Sequence, residues 1–342
     1  MPRKVRLPRI AGTGALAVAL AVLASAAPTA ATETSLTLSN PRIVAHFDFA
    51  AGQTPESIAL EPDGAADLSF ALARQVARVT KHGDTEILAT LPAPANPATP
   101  IIGAAVTTGL VRTHDGSLYV NYLTGTDDLT GVWRIAPDGS VARFAALPSN
   151  SFANGLALDK KNGVLYAADS FLGKVWRISL DDGAVTTWAT GSELERTVFV
   201  GANGIKVRHG AVWVTNSDQG TLLRIPVEAD GSAGAIETRA TGLAGIDDFA
   251  FPRRDETVLT ALNPSSEVAV VRPDGTHSIV LTQQDGLSNP TSVAVRHHKV
   301  YVPSAAFTTM EDPNLLLARL HKHHFSDGTA RSAPHRAQAA VH

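Results

Sequence analysis

Residues 154–178 read NGLALDKKNGVLYAADSFLGKVWRI, and residues 203–225 read NGIKVRHGAVWVTNSDQGTLLRI. Each copy holds a short alternating apolar stretch, a tight turn, a second strand ending in polar residues, and a third strand rich in Val, Trp, Arg and Ile. Period-two alternation bounded by turn residues reads as strand. A Thr- or Ala-rich fourth segment follows, as in GAVTTWAT from Gly183. Four short antiparallel strands, repeated, predict the blades of a propeller.

Working outward, the first strand recurs as ESIAL at Glu56, TGLVR at Thr108, NGLAL at Asn154, NGIKV at Asn203, DDFAF at Asp247 and TSVAV at Thr291. These starts are spaced by 44 to 52 residues. The expectation is an all-β, six-bladed β-propeller. The run DLSFALARQVARV from Asp67 has a helical composition, but its register places it on the second and third strands of blade one. Position in a repeat outweighs propensity. Blade six offers only TSVAV, KVYVPS and NLLLARL. The segment RIVAHFDF (42–49) is therefore expected to supply its outermost strand and close the ring, since such folds avoid unpaired edges.

The N-terminus carries Arg3, Lys4, Arg6 and Arg9 ahead of an apolar run from Gly14 to Ala27, with small residues at 24–26 and 29–31. That run is short for a membrane span and fits a cleavable secretory signal over residues 1–31. The domain reading is a signal at 1–31, a propeller at 42–320 and a His-rich, solvated tail at 321–342. An exported location is expected, with no membrane attachment after cleavage. Loss of those four basic residues takes the net charge from −3 to −7, which argues against nucleic acid as a partner. The chain has no cysteine, so disulfides, thiolate zinc sites and thiol nucleophiles are excluded.

In a propeller the innermost strands line the central channel. The residues opening those strands, Glu56, Thr108, Asn154, Asn203, Asp247 and Thr291, therefore converge on the axis. Two carboxylates close together in a narrow channel need a cation or a proton. Carboxylate and amide oxygens suit one hard divalent cation, calcium in preference to magnesium or zinc. The same face is expected to carry the loops between second and third strands, with Asn121, Asp127, Asp128, Asp169, Ser170, Asn216, Asp218 and Asn263. Of these, Asp169, Asn216 and Asn121, with Thr108 and Thr291, are the expected contacts for a small-molecule substrate. Asp248 is read as a further ligand or a base. The histidines fall on the opposite face, in the closing strand or in the tail, so none is expected at the channel mouth. No G-x-S-x-G elbow, P-loop or dinucleotide fingerprint is present.

The Glu, Asn, Asn and Asp column, with TPESIAL, NGLALD and the later acidic motif, resembles the superfamily of gluconolactonase, regucalcin (senescence marker) and paraoxonase propellers. The resemblance spans residues 42–320. It implies a divalent cation held by Glu56, Asn154, Asn203 and Asp247, and hydrolysis of lactones or esters with Asp247 or Asp248 activating water. Two departures stand out: no histidine is available near the metal, and Asp248 stands where gluconolactonase-like sequences commonly place glycine. A metal-assisted lyase or cyclase, and a non-catalytic binding protein with a structural metal, are the competing readings.

Overall fold

A computed structural model describes residues 36–322. The strands form six four-stranded antiparallel sheets; five meander outward from the axis in chain order, and the sixth takes its outermost strand from the N-terminal end. The innermost strands are Pro55–Leu60, Val106–Arg112, Ala153–Asp159, Ala202–Arg208, Ile246–Ala250 and Ala294–Arg296. The fold is the six-bladed β-propeller expected from the repeat.

The helix-like run in blade one is two strands, Ala66–Phe70 and Gln75–Val79, paired from Ala66 with Val79 to Phe70 with Gln75. Leu68, Phe70, Val76, Ala77 and Val79 are all buried there, so both sheet faces are covered by neighbouring blades. That accounts for the lack of a clean apolar–polar alternation.

Blade six closes as anticipated, but with different limits. The N-terminal strand is Leu36–His46, starting before Arg42, and pairs with Asn314–Lys322 from Leu36 with Lys322 to His46 with Asn314. His321 therefore lies in the closing sheet rather than in the tail, and its ring bonds Ser39 Oγ at 2.6 Å. The innermost strand of this blade begins at Ala294 rather than Thr291, because Thr291 turns its hydroxyl to the Pro55 carbonyl of blade one (2.8 Å). The expected signal at 1–31 and the rest of the expected tail, beyond Lys322, lie outside the described residues.

The core is distributed rather than central. Apolar clusters fill each junction between successive blades. Leu123 and Val132 of blade two meet Leu165, Trp176 and Ile178 of blade three, and Leu36 of the closing strand meets Leu259, Val300 and Leu316. Burying each such side chain contributes about 1.5–3 kcal/mol, so the ring is held by repetition of moderate contacts.

Candidate functional site

The residues that open the innermost strands sit in β-bulges. The pairing of Ala153–Asp159 with its neighbour skips from Ala153 to Leu156, that of Ala202–Arg208 from Ala202 to Ile205, and that of Ile246–Ala250 from Ile246 to Phe249. Asn154, Asn203 and Asp247, with the residue after each, are thus freed from the ladder. A bulge bends the strand and re-aims a side chain, which here brings polar groups to the axis.

Glycine after the ring residue lets neighbouring blades approach closely. A Cβ on Gly155 would stand 2.4 Å from the Asn203 carbonyl oxygen, and one on Gly204 would stand 2.6 Å from Asp248 Cα. Gly155→Ala is expected to destabilise the protein by about 1–3 kcal/mol or more, since the obstacle is backbone that moves only with its blade. Differential scanning calorimetry checks this, and an unchanged melting temperature would show that the blades have slack at the axis.

Small polar residues near the end of the second strand in blades one to four sew this inner ring together. Ser69 Oγ donates to the Thr108 carbonyl (2.6 Å), Asn121 Nδ2 to the Asn154 carbonyl (3.0 Å), Ser170 Oγ to the Ala202 carbonyl (2.7 Å) and Thr215 Oγ1 to the Asp247 carbonyl (2.6 Å). Each bond crosses from one blade to the next. Bulge carbonyls that lose ladder partners find donors this way, as buried backbone groups must.

Glu56, Asn154, Asn203 and Asp247 come together around a space of about 10 Å³, enough for one water-sized occupant. Glu56 Oε2 is buried there without a hydrogen-bond partner. Burial, then the charge of Asp248, pushes the Glu56 carboxyl up to about 8. Asp247 is pushed well above the carboxylate range by burial first, then by Glu56 and Asp248, opposed by the Asn203 amide and Lys206. The Asn203 amide nitrogen donates to Ser217 Oγ (2.9 Å), leaving Oδ1 outside that bond. Two carboxylates driven toward protonation, an unpartnered carboxylate oxygen and amide oxygens fit a hard divalent cation. Among the described residues, no three His, Cys, Asp or Glu side chains group as a metal site, so any site here depends on the amides.

Asp248 is placed differently from its neighbour. Both its oxygens lie 2.5 Å from Lys206 Nζ, and Ser292 Oγ donates to it at 2.8 Å. It borders the small axial space but not the larger cavity above it. Both of its oxygens are thus engaged by Lys206, and one also by Ser292, beneath the ring and away from the large cavity. Sequence reasoning passed over Lys206. The signal was available, since the aligned positions in the other copies hold Ala59, Val111, Ala157, Ala250 and Ala294, and only this one is charged.

A cavity of about 580 Å³ opens above the ring, with Glu56, Thr108, Asn154, Asn203 and Asp247 among its lining residues. Leu72, Ile102, Val106, Phe152, Phe199 and Phe307 form much of its wall. Of the expected substrate contacts, only Thr108 borders this cavity. Asp169 is fully buried and accepts from Ser151 Oγ (2.6 Å), Trp176 Nε1 (2.9 Å) and the backbone N–H groups of Phe152, Phe171 and Leu172. Asn216, also buried, donates to the carbonyls of Glu193 and Glu195 and accepts from Gln219 N–H. Asn121 and Thr291 stitch adjacent blades. These four residues are corrected from substrate contacts to supports, because none borders the cavity and each bonds a loop or a neighbouring blade. Asp127 and Asp128 are exposed, away from the cavity lining. None of the described histidines borders the cavity.

Comparison with known proteins places this geometry among relatives. Residues 64–239, just over half of the chain, match the model of a family described as a repeat of unknown function, DUF6923. The chain belongs to this family. The DUF6923 match runs from the first turn of blade one to the outer strand of blade four. It includes Asn154 and Asn203 but leaves Glu56 and Asp247 outside. A search of curated proteins finds no match.

Solved structures similar to this DUF6923 chain include a gluconolactonase from Xanthomonas campestris, at 13% identity and a TM-score of 0.59 over 84% of this chain and 97% of the other. A calcium-binding regucalcin from Agrobacterium tumefaciens has 18% identity and a TM-score of 0.57 over 78% and 90%. A catalytically inactive His-to-Ala variant of virginiamycin B lyase from Staphylococcus aureus has 13% identity and a TM-score of 0.57 over 83% and 99%. These likenesses agree with the superfamily resemblance at the level of the shared propeller fold.

Proposed function

We propose that this protein is a divalent-cation-dependent hydrolase of small lactones or esters, acting outside the cell on a small-molecule substrate. Glu56, Asn154, Asn203 and Asp247 would hold the cation, calcium by the preference of these ligands. The observation that carries the reading is the partnerless Glu56 Oε2 beside a second carboxylate, both disfavoured as anions, at the floor of an apolar-walled cavity. A bound cation supplies Lewis-acid polarisation of a carbonyl and stabilisation of the oxyanion formed on attack.

The chain's own residues supply the rest. The apolar walls exclude bulk water and seat the non-reacting part of the substrate. Asp247, the sequence-predicted base that faces the cavity, takes a proton from the attacking water as its oxygen bonds the carbonyl carbon. When the bond from that carbon to the ring or ester oxygen breaks, the proton passes from Asp247 to the departing oxygen. The products are a hydroxy acid from a lactone, or an acid and an alcohol from an ester. Asp248, held by Lys206 and Ser292, adds a carboxylate beneath the ring whose field raises Glu56 and draws a cation to the same place.

The similar lyase was inactivated by a His-to-Ala change, and no described histidine borders the cavity here. That favours hydrolysis over a lyase using histidine. The test is turnover of lactones and aryl esters by the purified protein with calcium, then with chelator. Turnover that vanishes on chelation and returns with calcium is expected. A metal-loaded protein that turns over none of them would overturn the hydrolase reading and leave the lyase, cyclase and binding alternatives.

A further inference from the structure

The polar side chains in the wall of the large cavity have directed their donor hydrogens to the protein itself. Thr108 Oγ1 donates to the Ala153 carbonyl (2.7 Å), Ser217 Oγ to the Ile246 carbonyl (2.5 Å) and Thr308 Oγ1 to Asn289 Oδ1 (2.9 Å). Asn263 Nδ2 donates to the Pro290 carbonyl (3.2 Å). The Asp218 carboxylate accepts four backbone N–H groups, those of Thr197, Val198, Phe199 and Val200, at 2.7–3.1 Å. A substrate hydroxyl pressed against this wall would lose water without finding a spare donor, which is costly.

The rim is apolar and open. Phe199 is 54% exposed, Ile102 43% and Leu72 37%, and all three line the cavity. Val198, next to Phe199, is 81% exposed. The grip of Asp218 on four successive amides holds residues 197–200 in place, so Phe199 is presented on a fixed loop. Large apolar side chains left in water around a cavity mouth mark a surface that something apolar covers. The volume suits a ligand of drug-like size.

From these two observations we infer that the substrate carries a hydrocarbon group, an alkyl chain or an aromatic ring, attached to its lactone or ester carbonyl, and that polyhydroxylated sugar lactones are excluded. Leu72, Ile102 and Phe199 are the specificity-determining residues. The inference rests on the hydrolase reading for the reacting carbonyl, and on the cavity wall alone for the hydrocarbon. The floor, with Glu56, Asn154, Asn203 and Asp247, offers polar atoms to the reacting end.

The experiment has two arms. In the first, kcat/KM is measured with calcium for p-nitrophenyl esters from acetate to octanoate, for γ-lactones with alkyl tails, and for gluconolactone. A rise of about fourfold per added methylene is expected until the cavity fills, with gluconolactone the poorest substrate. Ile102→Ser and Phe199→Ser, both at exposed positions that do not endanger folding, should each lower that increment to about twofold or less. In the second, binding of a series of straight-chain methyl ketones, which cannot be hydrolysed, is followed by calorimetry. Affinity should climb with chain length in the same proportion.

Preference for gluconolactone, a flat chain-length profile, or ketone binding that is absent or independent of length would each overturn the inference. Ketone affinity that climbs with chain length in a protein that cleaves no ester or lactone would uphold the apolar ligand and discard the hydrolase reading.

Discussion

Asp247→Asn is expected to lower kcat for the best substrate about a hundredfold to ten-thousandfold, the range seen when a positioned general base is removed. The amide keeps the size and one oxygen of the carboxylate, so loss of activity is not loss of the fold. It also replaces a buried carboxyl whose ionisation is disfavoured by burial and by the neighbouring Glu56 and Asp248 with a neutral amide. Without metal, the variant should therefore melt at or above the temperature of the unchanged protein. Steady-state kinetics with saturating calcium, paired with circular dichroism melting, separates the two effects. Equal kcat in the variant would remove Asp247 from the mechanism, and a collapsed melting transition would show instead that the carboxylate holds the ring together.

The second large effect is a pH dependence of stability that calcium cancels. Glu56 has a folded-state value of about 8 against an ordinary 4.5, so between those values the folded protein keeps a proton that the unfolded chain has lost. Stability then falls as pH rises through this window, and levels off above it. Each unit of such a shift corresponds to about 1.4 kcal/mol. The metal-free protein should consequently melt on the order of 10 °C lower at pH 9 than at pH 5. A cation among the same oxygens takes the place of the proton, so calcium should stabilise more at pH 9 than at pH 6. At a hundred times its dissociation constant, it contributes about 2.7 kcal/mol. Glu56→Gln should flatten the metal-free profile and remove most of the response to calcium. A melting temperature indifferent to both chelator and pH across this window would count decisively against a cation on the axis.

The candidate site was half legible before any coordinates. The ring column could be aligned because each innermost strand begins with a short polar residue before a repeated apolar pattern, and in three blades a glycine follows it. What the alignment could not convey was the bulge. A strict two-residue alternation would send Asp247 and Asp248 to opposite faces. The bulge instead lets both border the axial space, while Lys206 decides which of them stays committed. Asp169 and Asn216 show the opposite error. Their polarity at a strand end reads as an exposed binding loop, but each is buried under the loop whose amides or carbonyls it organises.

The sequence by itself determined the repeat, the number of blades, the closure by an N-terminal strand and the place of Glu56, Asn154, Asn203 and Asp247 at the axis. All of these follow from local period and turn chemistry that recur at regular spacing. It also ruled out thiol chemistry, through composition alone. Only the tertiary structure decided that Asp248 pairs with Lys206, that the side-chain donors of the wall are already occupied, and that Leu72, Ile102 and Phe199, far apart in the chain, share one rim. Those outcomes depend on which blade meets which and on where each freed backbone carbonyl finds a donor. Such long-range contacts leave no periodic trace in the order of residues.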